Sequence, residues 1–170
     1  MTVALHSALE LYAHALAIER EATARYREFA AQMADRDQEA LASLFLRLAA
    51  LEQEHARQLE ARTVGMTLPV IPDAAYRWLD AGAPETAAHE WIFRLLTPYD
   101  ALRIALAGEN RACRFFERMA AESDDDDLRA LALEMAAEER EHAALLERAL
   151  AHEPDPHIDW ERALETARPT

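Results

Sequence analysis

The chain contains few of the residues that cross-link or break up a small domain. It has one cysteine, Cys113, and three glycines in 170 residues. A single cysteine excludes an internal disulfide framework and any Cys-x-x-Cys site of the zinc-ribbon or rubredoxin type. No apolar run approaches the roughly 20 residues of a membrane-spanning helix. The N-terminus also lacks the basic region and apolar core of a signal peptide. These absences predict a soluble, cytoplasmic protein.

Positive charge is also scarce, because 18 Lys and Arg face 32 Asp and Glu, for a formal net charge of −14. Such an excess of negative charge argues against binding nucleic acid or an anionic membrane surface. About half of the chain is apolar, and alanine, leucine, glutamate and arginine are abundant, which is typical of long helices. The length suits one domain with a full core. We therefore expect a single all-α domain.

The periodicity of apolar residues predicts four long helices. Asp35 or Asp37 is expected to cap the second helix, and Thr97 with Pro98 to begin the third. Pro154 and Pro156 follow the fourth. The predicted helices are about Leu5–Met33, Gln38–Arg62, Pro98–Ala121 and from the Asp124–Asp127 break to His152.

A segment of about 35 residues, 63–97, separates the second and third helices and is unusually long for a structureless loop. It fits the crossover of a ferritin-like bundle, which travels the length of the molecule. Its last part, Glu85–Leu96, is consistent with a short helix that carries Trp91 and Phe93. The predicted organisation is a four-helix bundle over residues 1–152, followed by a tail, 153–170, that is either a loosely packed appendage or an oligomer contact.

A helical hairpin is repeated within the chain. The segment Glu52–Ala56 returns as Glu139–Ala143, and each copy contains Glu-x-x-His. Each copy follows a helix with a matching glutamate, Glu19 in the first half and Glu109 in the second. Residues three apart on a helix share a face, so each Glu and His point the same way. The repeated unit is a helix with Glu, a turn, and a helix with Glu-x-x-His.

The turns place these residues at one height. Glu19 and Glu52 are equidistant from the first turn, and Glu109 and Glu139 from the second, at about 22–26 Å along each helix. Four buried carboxylates without cations would each cost several kcal/mol or would have to protonate. Divalent metals remove that cost, and carboxylate with imidazole suits iron or manganese. The predicted metal ligands are Glu19, Glu52, His55, Glu109, Glu139 and His142.

Several neighbouring residues leave alternatives open. Glu138 stands four residues before His142 and could replace Glu139 as the ligand, although the match with Glu52 in the repeat favours Glu139. Tyr26 could bond to a ligand or serve as a redox-active phenol, but its repeat partner is Phe116, which favours core packing. Cys113, one turn beyond Glu109, is expected to be an ordinary small buried residue.

These segments, in this order, resemble the rubrerythrin branch of the ferritin-like di-iron superfamily. The resemblance covers about Leu5–His152 and implies two iron ions, with manganese or mixed metals as alternatives, held by the six residues above. It implies reduction of peroxide or dioxygen with iron oxidation, an electron donor of unknown identity, and a homodimer. The chain departs from rubrerythrins proper, since it lacks cysteines for a rubredoxin-like domain and has Ala112 where they carry a further carboxylate.

Three other functions compete with this di-iron oxidoreductase of the peroxidase or ferroxidase type. One is iron binding or delivery without turnover. Another is hydroxylation of an organic substrate, which predicts an apolar channel lined in part by Trp91 or Phe93. The last is a metal-free helical interaction protein. Metal content and turnover with peroxide or dioxygen separate them.

Overall fold

The computed structural model describes residues 8–71 and 97–154, and within these ranges it contains four helices and no strand. The predicted short helix before Thr97, Trp91, Phe93 and most of the predicted tail lie outside the described residues. None of the described helices is long and apolar enough to cross a membrane. The helices are α1, Ala8–Ala34; α2, Glu39–Arg62; α3, Pro98–Glu122; and α4, Asp126–Leu150.

The turn between α1 and α2 differs from the sequence-based prediction. Neither Asp35 nor Asp37 caps α2; the residue before its first turn is Gln38, whose side chain makes no capping hydrogen bond. Asp37 instead has φ 57°, and the Gln38 amide donates to the Met33 carbonyl at 2.9 Å. This pattern is a Schellman motif that ends α1. Aspartate serves at its left-handed position because it tolerates positive φ better than most residues.

The third helix begins as its sequence predicts, with Thr97 as the cap of α3. The Thr97 side chain accepts a hydrogen bond from the Asp100 amide, and the Asp100 carboxylate accepts one from the Thr97 amide. This reciprocal pair is a capping box, and Pro98 occupies the first helical position, where no amide hydrogen is needed. Asp125 caps α4 through the amides of Asp127 and Leu128. Fixed starts set the register of both helices.

The four helices pack as two hairpins, α1 against α2 and α3 against α4, and α1 also contacts α3. Their buried apolar side chains form two separate clusters. The first, the turn-side cluster of α1 and α2, includes Tyr26, Phe29, Phe45 and Leu102. The second, the far cluster, includes Leu11, Leu16, Leu59, Phe116 and Met135.

The order of the two clusters along each helix gives the direction of that helix. The chain passes from the far cluster to the turn-side cluster in α1 and α4, and in the opposite order in α2 and α3. Hairpin partners are therefore antiparallel, whereas α2 and α3 run in the same direction. Parallel α2 and α3, each within an antiparallel hairpin, are the arrangement of a ferritin-like four-helix bundle. The fold predicted from the sequence is confirmed.

Candidate metal centre

In each helix, the candidate ligands lie between the residues that belong to the turn-side cluster and those that belong to the far cluster. Glu19 precedes Ala22 in α1, and Glu109 follows Ala105 in α3, so both carboxylates enter the bundle where the two clusters meet. All six candidate residues are buried in this layer, and the most exposed of them, His55, retains only 9% of its accessible surface. They are Glu19, Glu52, His55, Glu109, Glu139 and His142.

Both imidazoles turn their Nδ1 atoms toward the carboxylates. His142 Nδ1 lies 2.8 Å from Glu52 Oε1, 3.7 Å from Glu109 Oε2 and 3.8 Å from Glu139 Oε2. His55 Nδ1 lies 3.6 Å from Glu19 Oε2 and 3.5 Å from Glu52 Oε2. The layer therefore joins the two halves of the repeat, because Glu52 from α2 approaches the histidines of both α2 and α4.

The two histidine rings are stacked nearly parallel. Their centroids are 5.3 Å apart and their planes differ by 9°. Parallel rings at this separation, each beside the glutamate of its own Glu-x-x-His, are what a pseudo-two-fold relation between the two hairpins produces. The geometry thus follows the internal repeat of the sequence.

Many polar atoms of this layer have no hydrogen-bond partner although they are buried. They comprise both oxygens of Glu19 and of Glu52, Oε1 of Glu109, and Nδ1 of both histidines. His142 Nδ1 lies close to Glu52 Oε1, but this pair lacks the alignment of a hydrogen bond. Buried polar groups in native proteins are nearly always satisfied, so such a cluster requires an explanation.

A shared cation explains these separations better than hydrogen bonds do. Ligand atoms about 2.1 Å from one ion are about 3.0 Å apart when they subtend 90° and about 4.2 Å apart when they lie opposite each other. The distances from the histidine Nδ1 atoms to the carboxylate oxygens run from 2.8 to 3.8 Å. Most of them are too long for hydrogen bonds. They suit donor atoms arranged around a common ion.

Two overlapping groups of donors could hold metal ions. One consists of Glu52, His55 and His142, and the other of Glu52, Glu109, Glu139 and His142, with their ligand atoms within 4.8 Å of one another. Every member is buried, and Glu52 and His142 belong to both groups. Glu19 lies outside both groups, although its Oε2 is 3.6 Å from His55 Nδ1. Carboxylate and imidazole donors of this kind suit iron, manganese or zinc.

The electrostatics of the layer show what its burial costs without a cation. Burial raises the pKa values of Glu19 and Glu139 well above normal, and neighbouring carboxylates raise them further. For Glu52 burial acts in the same direction, but its interactions with His142 and His55 prevail and lower its pKa to about 2. Burial alone would lower the pKa of each histidine, yet the surrounding glutamates raise both to about 10. Protons therefore occupy part of this layer at neutral pH.

We expect the metal-free protein to lose stability as pH rises from 6.5 toward about 10. His55 and His142 bind protons more tightly in the folded chain than in the unfolded chain, so their contribution is complete below pH 6.5 and is lost through that window. The raised pKa values of Glu19 and Glu139 act in the same direction. Thermal unfolding followed by circular dichroism in the presence of a chelator measures the effect. An unfolding temperature that rises with pH across this window would contradict it.

The structure places each of the three residues whose role the sequence leaves undecided. Glu138 does not join the carboxylates that face Nδ1; its Oε2 lies 3.5 Å from Nε2 on the outer side of the His55 ring. Tyr26 is fully buried and stacks on Phe45 at 5.9 Å, within the turn-side cluster, which agrees with core packing. Cys113 is buried, and its Sγ lies 3.6 Å from the carbonyl of Ala136.

The sequence pattern alone did not identify the position of Glu138 beside the outer nitrogen of His55. Its sequence signal is the spacing of four residues from His142, which indicates an alternative ligand position and no contact with His55. The contact is made across the bundle to α2, so no spacing within α4 reveals it.

Comparison with known proteins gives one family and one solved structure. A sequence profile described as Rubrerythrin matches residues 10–75 and 100–168. The chain is also similar to an uncharacterized conserved protein from Magnetospirillum magnetotacticum MS-1, whose crystal structure is known. The two sequences are 32% identical and the TM-score is 0.80; the similarity covers 90% of this chain and 99% of that one. Comparison with curated protein sequences finds no significant match.

Proposed function

The chain belongs to the rubrerythrin family, and from that premise we propose that it is a non-haem di-iron oxidoreductase. It would reduce peroxide or dioxygen while iron is oxidised. The convergence of two histidine Nδ1 atoms and four buried carboxylates on one layer is the observation that carries this proposal. The proposed ligands of the two iron ions are Glu19, Glu52, His55, Glu109, Glu139 and His142.

The donor set fits a pair of divalent ions in charge as well as in geometry. Four carboxylates carry four negative charges, which two divalent cations neutralise, and both imidazoles can then remain neutral. Glu52 has its two oxygens directed to different histidines, Oε1 toward His142 and Oε2 toward His55. Glu52 would therefore contribute to holding both ions. Manganese is compatible with the same donors.

Two ferrous ions held by these residues would supply the two electrons that, with two protons from solvent, convert one peroxide molecule into two molecules of water. The residues of the chain prepare that chemistry in three ways. The carboxylates balance the charge of the cations, and the two imidazoles supply neutral donors at fixed positions. The apolar clusters on either side exclude bulk water. Exclusion of water strengthens the electrostatic interactions within the layer.

A crevice between α2 and α4, in the part of the chain that the structure describes, reaches the outer side of His55 past Leu59, Met135 and Glu138 and has a volume of about 10 Å³. That volume is about the least that accommodates one water molecule. The crevice therefore has no room for an organic substrate at this face of His55. The side chains proposed for a substrate channel, Trp91 and Phe93, lie outside the described residues.

The proposal predicts repeated oxidation of bound iron. Protein loaded anaerobically with ferrous iron and mixed with peroxide or with dioxygen should show ferric absorbance, and an added chemical reductant should restore the ferrous state for further cycles. Stopped-flow spectroscopy with each oxidant measures which one reacts faster. The control is the variant Glu54→Gln, which changes an exposed glutamate outside the buried layer and should react like the original protein. A single oxidation with retained iron and no cycling would instead favour an iron-binding protein.

The electron donor and the assembly state are further parts of the proposal. These 170 residues contain no cysteine pair that could build a rubredoxin-like iron site, and the proposed electron donor lies outside them. The homodimer rests on the resemblance to the family, and light scattering coupled to gel filtration measures the mass directly.

A further inference from the structure

Glu138 occupies a distinctive place beside the proposed centre. Its Oε2 lies 3.5 Å from Nε2 of His55, across the interface between α4 and α2, and its side chain retains 31% exposure. The ring of His55 stands between Glu138 and the four central carboxylates, because Nδ1 faces Glu19 and Glu52. Glu138 therefore lies on the outer side of the imidazole and not on the side that would bind metal.

The chemistry of a histidine ligand defines what this outer position must supply. An imidazole that binds a cation through Nδ1 carries its proton on Nε2, and a buried N–H needs an acceptor. His55 is 9% exposed and adjoins a crevice that holds about one water molecule, so Glu138 or that water can accept this hydrogen. The Glu138 carboxylate is about half an ångström beyond the usual N–H···O distance, and a small side-chain rotation closes that gap.

The other histidine lacks the equivalent residue. In the repeat, Glu139 corresponds to Glu52, so the position before it, Glu138, corresponds to Leu51. Leucine offers no acceptor. The pseudo-two-fold centre is thus asymmetric at this pair of positions, with a carboxylate assigned to His55 and an aliphatic side chain in the corresponding place of the other half.

We propose that Glu138 is a positioning residue that accepts the Nε2 hydrogen of His55 and makes the two metal positions unequal. This inference rests on the proposed function. The carboxylate fixes the tautomer and orientation of His55 and increases the basicity of its Nδ1. The ion on the His55 side is accordingly bound more tightly than it would be with leucine at position 138.

The inference predicts two separate steps when metal is added. Substitutions of residues that orient a metal ligand typically lower affinity by about 10–100-fold. The variant Glu138→Leu, which copies the Leu51 position, should lose that factor in one of the two steps and leave the other unchanged. Glu138→Gln keeps a neutral acceptor, so its metal affinity should lie between that of Glu138→Leu and that of the original protein. Glu141→Leu, at an exposed position in the same helix, is the matched control.

Titration of the metal-free protein with cobalt(II), followed by its visible absorption, measures both steps. A second readout uses zinc-loaded protein, in which proton–nitrogen NMR reports the tautomer of His55. We expect a proton on Nε2, with a downfield shift that moves upfield in Glu138→Leu and less in Glu138→Gln. Far-ultraviolet circular dichroism of each variant verifies that the helices remain.

The outcomes separate this inference from the proposed function. If the original protein binds no metal, the di-iron proposal fails and the inference fails with it. If it binds two ions but Glu138→Leu has the same two affinities and the same NMR shift, the positioning role alone is wrong. A loss of affinity as large in Glu141→Leu as in Glu138→Leu would also overturn it.

Discussion

Replacement of Glu52 by alanine is expected to reduce bound iron from about two ions per chain, the content of a di-iron bundle, to less than one. Glu52 is the carboxylate common to both groups of potential ligands. Its oxygens approach different histidines, at 2.8 and 3.5 Å. Its loss therefore removes one donor from each ion, and elemental analysis of purified protein measures the result.

The repeat provides a graded comparison for this substitution. Glu139 occupies the corresponding position in the second half, but it belongs to only one of the two groups. Glu139→Ala should therefore affect one ion more than the other, whereas Glu52→Ala should affect both. The control is Glu54→Ala, which changes an exposed glutamate two residues from Glu52 in the same helix.

Retention of about two iron ions by Glu52→Ala would contradict the assignment of Glu52 as a shared ligand. Loss of iron by Glu54→Ala would show that the measurement reports general damage to α2. The circular dichroism of the metal-free proteins distinguishes these cases, because a ligand substitution should preserve helix content. Binding measured at several metal concentrations separates weakened affinity from complete loss of a position.

Replacement of Glu139 by glutamine is expected to change protein stability in opposite directions with and without metal. In the metal-free protein Glu139 is buried beside Glu109, and burial together with the adjacent carboxylates raises its pKa well above normal. Removal of an ionisable group from this layer relieves repulsion and the cost of desolvation. The unfolding temperature of the metal-free variant should therefore exceed that of the metal-free original.

With metal present the order should reverse. A ligand at about 1,000 times its dissociation constant stabilises the folded state by about 4 kcal/mol. For a chain of this size, each kcal/mol corresponds to about 2–4 °C in unfolding temperature. The original protein should therefore gain about 8–16 °C on saturation with one ion, and the variant should lose much of that gain. Calorimetry with chelator and with excess metal measures both values.

A matched variant tests whether the reversal belongs to the buried layer. Glu141→Gln changes an exposed glutamate two residues away in α4, and its unfolding temperature should follow that of the original protein in both conditions. A Glu139→Gln variant that is less stable without metal would show that the carboxylate makes favourable contacts in the metal-free fold. That result would remove the argument that burial of Glu139 requires a cation.

The sequence predicted the fold and the meeting of the six side chains because both follow from periodicity and repetition. Helical spacing places Glu52 and His55 on one face, and equal distances from the turn place Glu19 level with them. These relations need only helix geometry, which local sequence determines well. The role of the six residues as metal ligands remains a prediction, although their burial and spacing support it.

Details that depend on contacts between helices or on turn conformation were harder to predict. The sequence predicts Asp35 or Asp37 as the cap of α2, but the first turn closes as a Schellman motif that uses Asp37 at positive φ. Aspartate suits both positions, so its presence does not choose between them. The spacing of Glu138 indicates only an alternative to Glu139 on the same helix, whereas its neighbour is His55 on α2.

The position of the polar layer has a consequence for how the molecule unfolds. The turn-side cluster and the far cluster are separate apolar units, and charged side chains occupy the boundary between them. In the absence of cations this boundary couples the two ends of the bundle weakly, because mutual repulsion opposes close contact there. Ions bound by the six candidate ligands would join all four helices at that level. We therefore expect the metal-bound protein to unfold in a single cooperative transition, and the two ends of the metal-free bundle to unfold less cooperatively.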